Sequence, residues 1–206
     1  MKRTFVLSLP FTPYHSLSLL ILFSFHLLSL TSLHAQWNHL QSGDLLFVSD
    51  TTGMGQAVKA STGNYTHVAM VERAGDSLFV IDATQKRGVA RRPIEKTFAN
   101  KMPVEIYRLK TPFDTAAVIA RANSLIGKPY DNAFLPDNDA YYCSELIQTA
   151  FGDLFESKPM NWRDKEGNLP EYWIKHFKEL GIPVPEEVPG TNPTDLSHSP
   201  LLKRIQ

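Results

Sequence analysis

The chain has 206 residues, room for one compact domain and little for a second of similar size. Lys plus Arg number 21 and Asp plus Glu number 21, so no net charge draws the chain to nucleic acid or to an anionic membrane surface. Its one cysteine excludes an intramolecular disulfide.

The opening segment differs from the rest. Lys2 and Arg3 give a positive start, Leu17 to Leu33 is rich in Leu, Ile and Phe, no acidic residue precedes Asp44, and the small Ala35 comes before Gln36. That order predicts a secretory signal over 1–35 and an exported domain over 36–206, periplasmic or extracellular. An uncleaved anchor is the alternative use of such a run, which Ser16, Ser18, Ser24, His26, Ser29 and Ser32 dilute here. No Cys follows the run until Cys143, so no lipid-modified cysteine starts the mature chain. Cleavage would remove two basic residues and no acidic one, leaving the chain near neutral and without a stable membrane span.

Gly43 to Val48 reads as a buried strand after a turn signal. Thr51 to Gly63 holds three glycines around a short apolar stretch and reads as a loop with one helical turn. Thr66–Glu72 and Leu78–Ala83 are β-branched and apolar, and the Arg73–Ser77 segment between them predicts a hairpin. Gly88–Arg92 and Val104–Leu109 are two more strands. The period then changes. Asp114-Thr115 caps a helix running to about Ile126, Lys128–Ala140 is a polar loop, and helices follow from Tyr142 to Phe151 and from Tyr172 to Leu180. The tail from Pro183 to Pro200 has five prolines and is expected to wrap the surface. Strands first and helices second make the fold class α+β.

Cys143 falls in the first turn of a helix, where backbone amides have no intrahelical partner and the dipole favours an anion. Such a thiol is placed to act as a nucleophile, and the amides of Cys143 and Ser144 are placed to hold the oxyanion formed at a carbonyl. Its spacing to Leu146 and Ile147 equally suits a residue on the apolar stripe. A catalytic thiol needs a base. Of the mature histidines only His67 lies in a strand; His39 is near the new terminus, His176 in a surface helix and His198 in the tail. With a loop of Ala74-Gly75 or of Arg73–Asp76, Glu72 pairs with Ser77 and His67 faces Asp82, a carboxylate to orient the imidazole. A loop of odd length would turn Asp82 to the other face, and Glu72 is the competing carboxylate. One Cys and one strand His without paired spacing make no zinc signature, so no metal and no cofactor is expected.

Five segments follow one another in order: Gly43–Phe47, Tyr65–Val71, Ile81–Ala83, Gly127–Asp131 and Tyr142–Ile147. Together they resemble the permuted papain-like amidases of the YiiX-like kind, relatives of NlpC-type cell-wall peptidases and of lecithin retinol acyltransferase. The resemblance implies a permuted papain-like fold, an antiparallel sheet packed against helices, with the His strand ahead of the Cys helix. It implies Cys143 as nucleophile and His67 as base. In such relatives the third polar residue is often Glu on the next strand; Asp82 holds that place here, with a shorter reach. Tyr142 and Tyr65, beside the two reacting groups, are expected to bind substrate.

The substrate is therefore expected to be a small peptide or acyl-amide, with a cell-wall-type peptide first and a lipid or N-acyl amide as its rival. Acyl transfer to an alcohol or amine shares the same acyl-enzyme, and a non-catalytic binding module could keep the fold. Asp131, Asp137, Asp139 and Glu145 surround the nucleophile in sequence and are candidates to receive an amine.

Overall fold

The computed structural model describes residues 37–98 and 104–206. The chain divides into two units, 1–39 and 40–206. Of the first, only 37–39 are described, a helix end and a turn. The expected signal segment, 1–35, lies outside the described residues. The second unit carries the elements that follow.

Its strands are β1 (Leu45–Val48), β2 (His67–Ala74), β3 (Ser77–Thr84), β4 (Gly88–Pro93), β5 (Val104–Leu109), β6 (Lys158–Pro159), β7 (Pro189–Gly190) and β8 (Leu202–Arg204). Six of them form the central sheet in the order β4-β3-β2-β1-β5-β8, every neighbouring pair antiparallel. β6 and β7 pair with each other in a two-residue ladder. β1 runs Leu-Leu-Phe-Val with all four residues buried, as a central strand covered on both faces requires. The helices are α1 (Gly53–Thr62), α2 (Ile94–Phe98), α3 (Thr115–Ser124), α4 (Cys143–Phe151), α5 (Glu171–Leu180) and α6 (Pro193–Ser197).

Local chemistry sets the helix ends. The Asp114 carboxylate accepts from the Ala117 N–H at 2.9 Å and starts α3. Gly181, at φ 70°, closes α5 in the left-handed conformation. α1 is ten residues long rather than the single turn expected. Thr52 caps it by accepting from Gly55 N–H, and Gly55 is where Asp50 approaches: a Cβ there would stand 1.9 Å from Asp50 Oδ1. A helix-poor sequence is thus tolerated because the residue is needed for contact, not propensity.

The hairpin register corrects the expected one. The loop is Gly75-Asp76, with Gly75 at φ 59°, so Ala74 pairs with Ser77 and Glu72 with Phe79. The shift is two residues, and an even shift leaves every side chain on its face. Continuing the ladder sets Asp82 beside Ala69, diagonal to His67 on the same side. The tail corrects a second expectation. It does not merely wrap the surface: Thr191, Thr194, Leu196 and Ser197 are buried, and β8 adds an edge strand to β5.

Two apolar clusters result. In the first, Leu45, Phe47, Val68, Met70 and Ile81 of the sheet pack on Val118 and Ala122 of α3 and on Leu146, Ile147, Ala150 and Phe151 of α4. Each such aliphatic side chain contributes about 2 kcal/mol when fully buried. In the second, Phe134, Tyr142, Trp162, Trp173 and Phe177 gather residues from the long loop, α5 and the segment between. Cys143 belongs to the first cluster and its neighbour Tyr142 to the second.

Candidate active site

Cys143 is the first residue of α4, and Tyr142, in extended conformation, precedes it as N-cap. The Glu145 carboxylate turns back to accept the Tyr142 N–H at 3.3 Å, fixing the turn that presents the cysteine. As the first residues of a helix, Cys143 and Ser144 have amides with no intrahelical carbonyl to bond. The Ser144 hydroxyl donates to the Thr191 carbonyl at 3.1 Å, and Thr191 N–H donates to the Tyr142 hydroxyl at 3.1 Å. The tail therefore clasps the start of α4 from both sides of Cys143.

His67 opens β2, partly exposed, with Nε2 3.0 Å from Asp82 Oδ2. Its ring and Cys143 line the same cleft, and the thiol acts on the ring electrostatically. Nε2 being taken by Asp82, Nδ1 is the nitrogen left for the sulfur. Burial alone would push the imidazole toward its neutral form; the hydrogen bond to Asp82 and then the influence of Cys143 override it and push the ring up to about 10. The ring is thus favoured as its cation at neutral pH. Asp82 is 1 % exposed. Its burial favours the acid, but the His67 hydrogen bond and then the Arg92 guanidinium hold the carboxyl below its usual range.

Arg92 is a residue that sequence reasoning did not single out. Its Nη2 donates to Asp82 Oδ1 at 2.7 Å and to Oδ2 at 2.6 Å. β3 and β4 pair Asp82 with Ala90 and Val80 with Arg92, so the arginine reaches diagonally across the ladder. A strand carrying Arg one alternation step from the partner of a buried Asp was the available signal. Glu72, the competing carboxylate, instead takes Arg91 Nε at 2.6 Å, on the other face.

Two openings meet at Cys143. One is a broad cleft of about 510 Å³, lined by His67, Asp82, Arg92, Asp50, Gln85 and Cys143 among others. The second is a narrow cavity of about 40 Å³, where Met54, Val58, Phe134, Tyr142 and Met160 close in on Cys143. Tyr142 thus stands at the cysteine. Tyr65 does not: its ring packs 5.3 Å from Phe47 and its hydroxyl donates to Glu105, within 3.3 Å of Tyr107 Oη. Burial and then that bond push its phenol pKa up. Tyr65, expected to bind substrate, lines neither opening. Only the neighbouring Thr66 and His67 line the cleft, because the chain enters β2 there and alternation has begun.

Three of the acidic residues near Cys143 are similarly occupied. Asp131, 2 % exposed, accepts from Ala133 N–H and Leu135 N–H, both at 2.8 Å. Those two hydrogen bonds make it a structural residue, shaping the loop that holds Phe134 at φ 54°. Asp139 pairs with Lys128 at 2.6 Å. Burial pushes the Glu145 carboxyl up to about 8 despite the Tyr142 N–H, so at neutral pH it is not the fixed anion an amine cation would need.

Comparison with known proteins agrees with this architecture. The family model described as "Permuted papain-like amidase enzyme, YaeF/YiiX, C92 family" matches residues 39–206. The protein YiiX of Escherichia coli (strain K12) is 22% identical over 175 residues, covering 80% of this chain and 85% of that one. The crystal structure of metalloprotein yiiX from Escherichia coli O157:H7 (DUF1105) superposes with a TM-score of 0.68 at 22% identity, over 81% of this chain and 96% of that one.

Proposed function

The chain belongs to the permuted papain-like amidase family, and from that premise we propose that it is an exported cysteine hydrolase that opens an amide bond through an acyl-enzyme on Cys143. The observation that carries this reading is His67, held by Asp82 at 3.0 Å and sharing one cleft with Cys143. The reacting form is the thiolate of Cys143 beside the His67 imidazolium: the ring holds the proton given up by the thiol, and Asp82 keeps that cation. The thiolate attacks the amide carbon, a C–S bond forms, and the oxygen's new charge lies on the free amides of Cys143 and Ser144. The tetrahedral intermediate collapses as His67 gives its proton to the leaving nitrogen and the C–N bond breaks. Water, deprotonated by His67, then attacks the thioester, releasing the carboxylic acid and the thiolate. Asp82, braced by both contacts from Arg92 Nη2, keeps the ring turned so that one nitrogen serves both transfers.

The E. coli O157:H7 neighbour is called a metalloprotein. Among the described residues here, no three His, Cys, Asp or Glu side chains gather as a metal would require. At the cysteine itself Asp82 already faces a guanidinium cation. This donor set does not fit a metal, and no step runs through one.

The substrate we favour is a short cell-wall-type peptide amide, met outside the cytoplasm after a signal over 1–35 is removed. Incubating the protein with an excess of such peptides should give an acyl mass on Cys143 and cut product, and Cys143→Ala should lower turnover by at least ~10⁴-fold. Product formed by the Cys143→Ala variant at the wild-type rate would end the cysteine mechanism. Secreted material whose N-terminus is still Met1 would end the cleaved-signal reading.

A further inference from the structure

The two openings at Cys143 differ in one residue that matters chemically: His67 lines the broad cleft and does not line the narrow cavity. In the reaction above, the leaving nitrogen must receive the His67 proton, so the amine half of the substrate lies on the His67 side. The acyl half stays on sulfur and must extend the other way. We propose that the narrow cavity is the subsite for the side group of the acyl residue, and that it selects a methyl- to ethyl-sized apolar group, as in an alanyl or 2-aminobutyryl amide.

Size decides against the larger candidates. The cavity's volume is about 40 Å³, room for two or three water molecules at the ~10–15 Å³ each requires and about a quarter of a ~150 Å³ cavity that takes up benzene. A methyl or ethyl group fits such a space; a leucyl or phenylalanyl side chain, or a fatty-acyl chain, does not. Its wall is apolar where it counts, with Met54 and Val58 from α1, Met160 from the edge of the β6 ladder, and Phe134 and Tyr142 beside the cysteine. The wall is also built at a cost. Phe134 is held at φ 54°, a region that bulky residues avoid. Its ring sits 5.2 Å from Tyr142 and 5.1 Å from Trp162. Met160 and Tyr142 can close in because residue 190 is glycine, where a Cβ would stand 2.7 Å from Met160 Sδ and 2.9 Å from the Tyr142 hydroxyl.

The inference rests on the cysteine-hydrolase reading but is testable apart from it. The full chain is treated with N-acetyl amino-acid chloromethyl ketones whose side groups run from glycyl through alanyl, 2-aminobutyryl and valyl to leucyl and phenylalanyl. The Cys143 sulfur displaces chloride from each, and intact mass follows the rate. Alanyl and 2-aminobutyryl reagents should react fastest, glycyl about tenfold slower, and leucyl and phenylalanyl at least ~10-fold slower, since a methylene in an apolar pocket is worth about 10–200-fold. Met160→Ala should move the optimum to valyl or leucyl, and Val58→Ala is the second widening variant should the first fail to fold. Rates that are flat across the series or that rise with size in the natural protein overturn the inference. So does an optimum that stays at alanyl in a folded widened variant. If the ketones follow the expected order but the matching amides are not cut, the subsite stands and the amidase reading fails. If the amides are cut with no size preference, the amidase reading stands and the subsite fails.

Discussion

The two apolar clusters that meet at Cys143 are built on different terms. The sheet cluster is made of repeating aliphatic positions, Leu45 and Phe47, Val68 and Met70, Leu146 and Ile147, each on an element with its own period. The aromatic cluster is made of single residues delivered by irregular chain: Phe134 from a loop pinned by Asp131, Trp162 with its indole N–H on the Pro185 carbonyl at 2.9 Å, Trp173 and Phe177 from α5. The first cluster supplies stability to the strand and helix that hold His67 and Cys143. The second shapes the space against the sulfur. Damage to the first should therefore read mainly in thermal unfolding, and damage to the second mainly in kinetics.

The largest expected effect falls on the line joining the clusters. Asp82→Asn keeps the shape of the side chain but removes the charge that orients His67 and balances Arg92. Turnover should drop by ~10²–10⁴-fold while the circular dichroism spectrum is unchanged. Turnover within twofold of the natural protein would show that Asp82 serves only the ion pair with Arg92.

Next comes the direct contrast. Leu146→Ala, in the first cluster, should cost about 2–5 kcal/mol of stability by leaving a cavity. The surviving folded enzyme should keep its kcat/KM within about threefold. Phe134→Leu, in the second, should cost less stability but alter kcat/KM among acyl groups. If the two variants exchange these signatures, the division of labour drawn here is wrong.

A pH profile sharpens the comparison further. His67 is raised, so its cation persists through neutrality and is lost as pH rises through about 10. Its stabilising contribution follows the same sign, complete below the unfolded value near 6.5 and gone above about 10. Asp82 is depressed, so its contribution is present at neutral pH and fades only as acid protonates a carboxyl held below its usual range. Turnover should therefore show a basic limb near pH 10, which His67→Gln abolishes along with most activity. A basic limb near pH 6.5 in the natural protein would contradict the raised ring.

The smallest effect belongs to Tyr65. Tyr65→Phe removes the bond to Glu105 and should cost about 1 kcal/mol in denaturant unfolding, with KM unchanged. A severalfold rise in KM would return Tyr65 to the substrate.

This contrast also explains what could be read from the sequence. Strands and helices with a period and a punctuation mark were legible: Val104–Leu109, α3 behind Asp114, α5 before Gly181. Cys143, His67 and Asp82 were legible because each sits on such an element, and the two-residue error in the hairpin did no harm because alternation has period two. Arg92 needed the β3–β4 register as well. The aromatic cluster was not legible, since nothing in the local pattern at Phe134 reports Trp162 or Phe177. The tail was not legible either: β8 is three residues long and gains its place from pairing with β5 and from burying Leu202 in the first cluster.

The clasp formed by that tail has a consequence for how the protein is born. Thr194 Oγ1 receives the Tyr65 N–H at the mouth of β2, and Thr191 grips both Tyr142 and Ser144. Tyr65 leaves the ribosome 129 residues ahead of its partner, a lag of roughly 6–26 s at common synthesis rates. Throughout that interval the nascent chain holds its histidine and then its thiol without the braces that set them against each other. On the mechanism proposed above, a half-made or truncated copy lacks the contacts that hold Tyr142 and Ser144 on either side of Cys143, and these form only when nearly all of the described chain has been made.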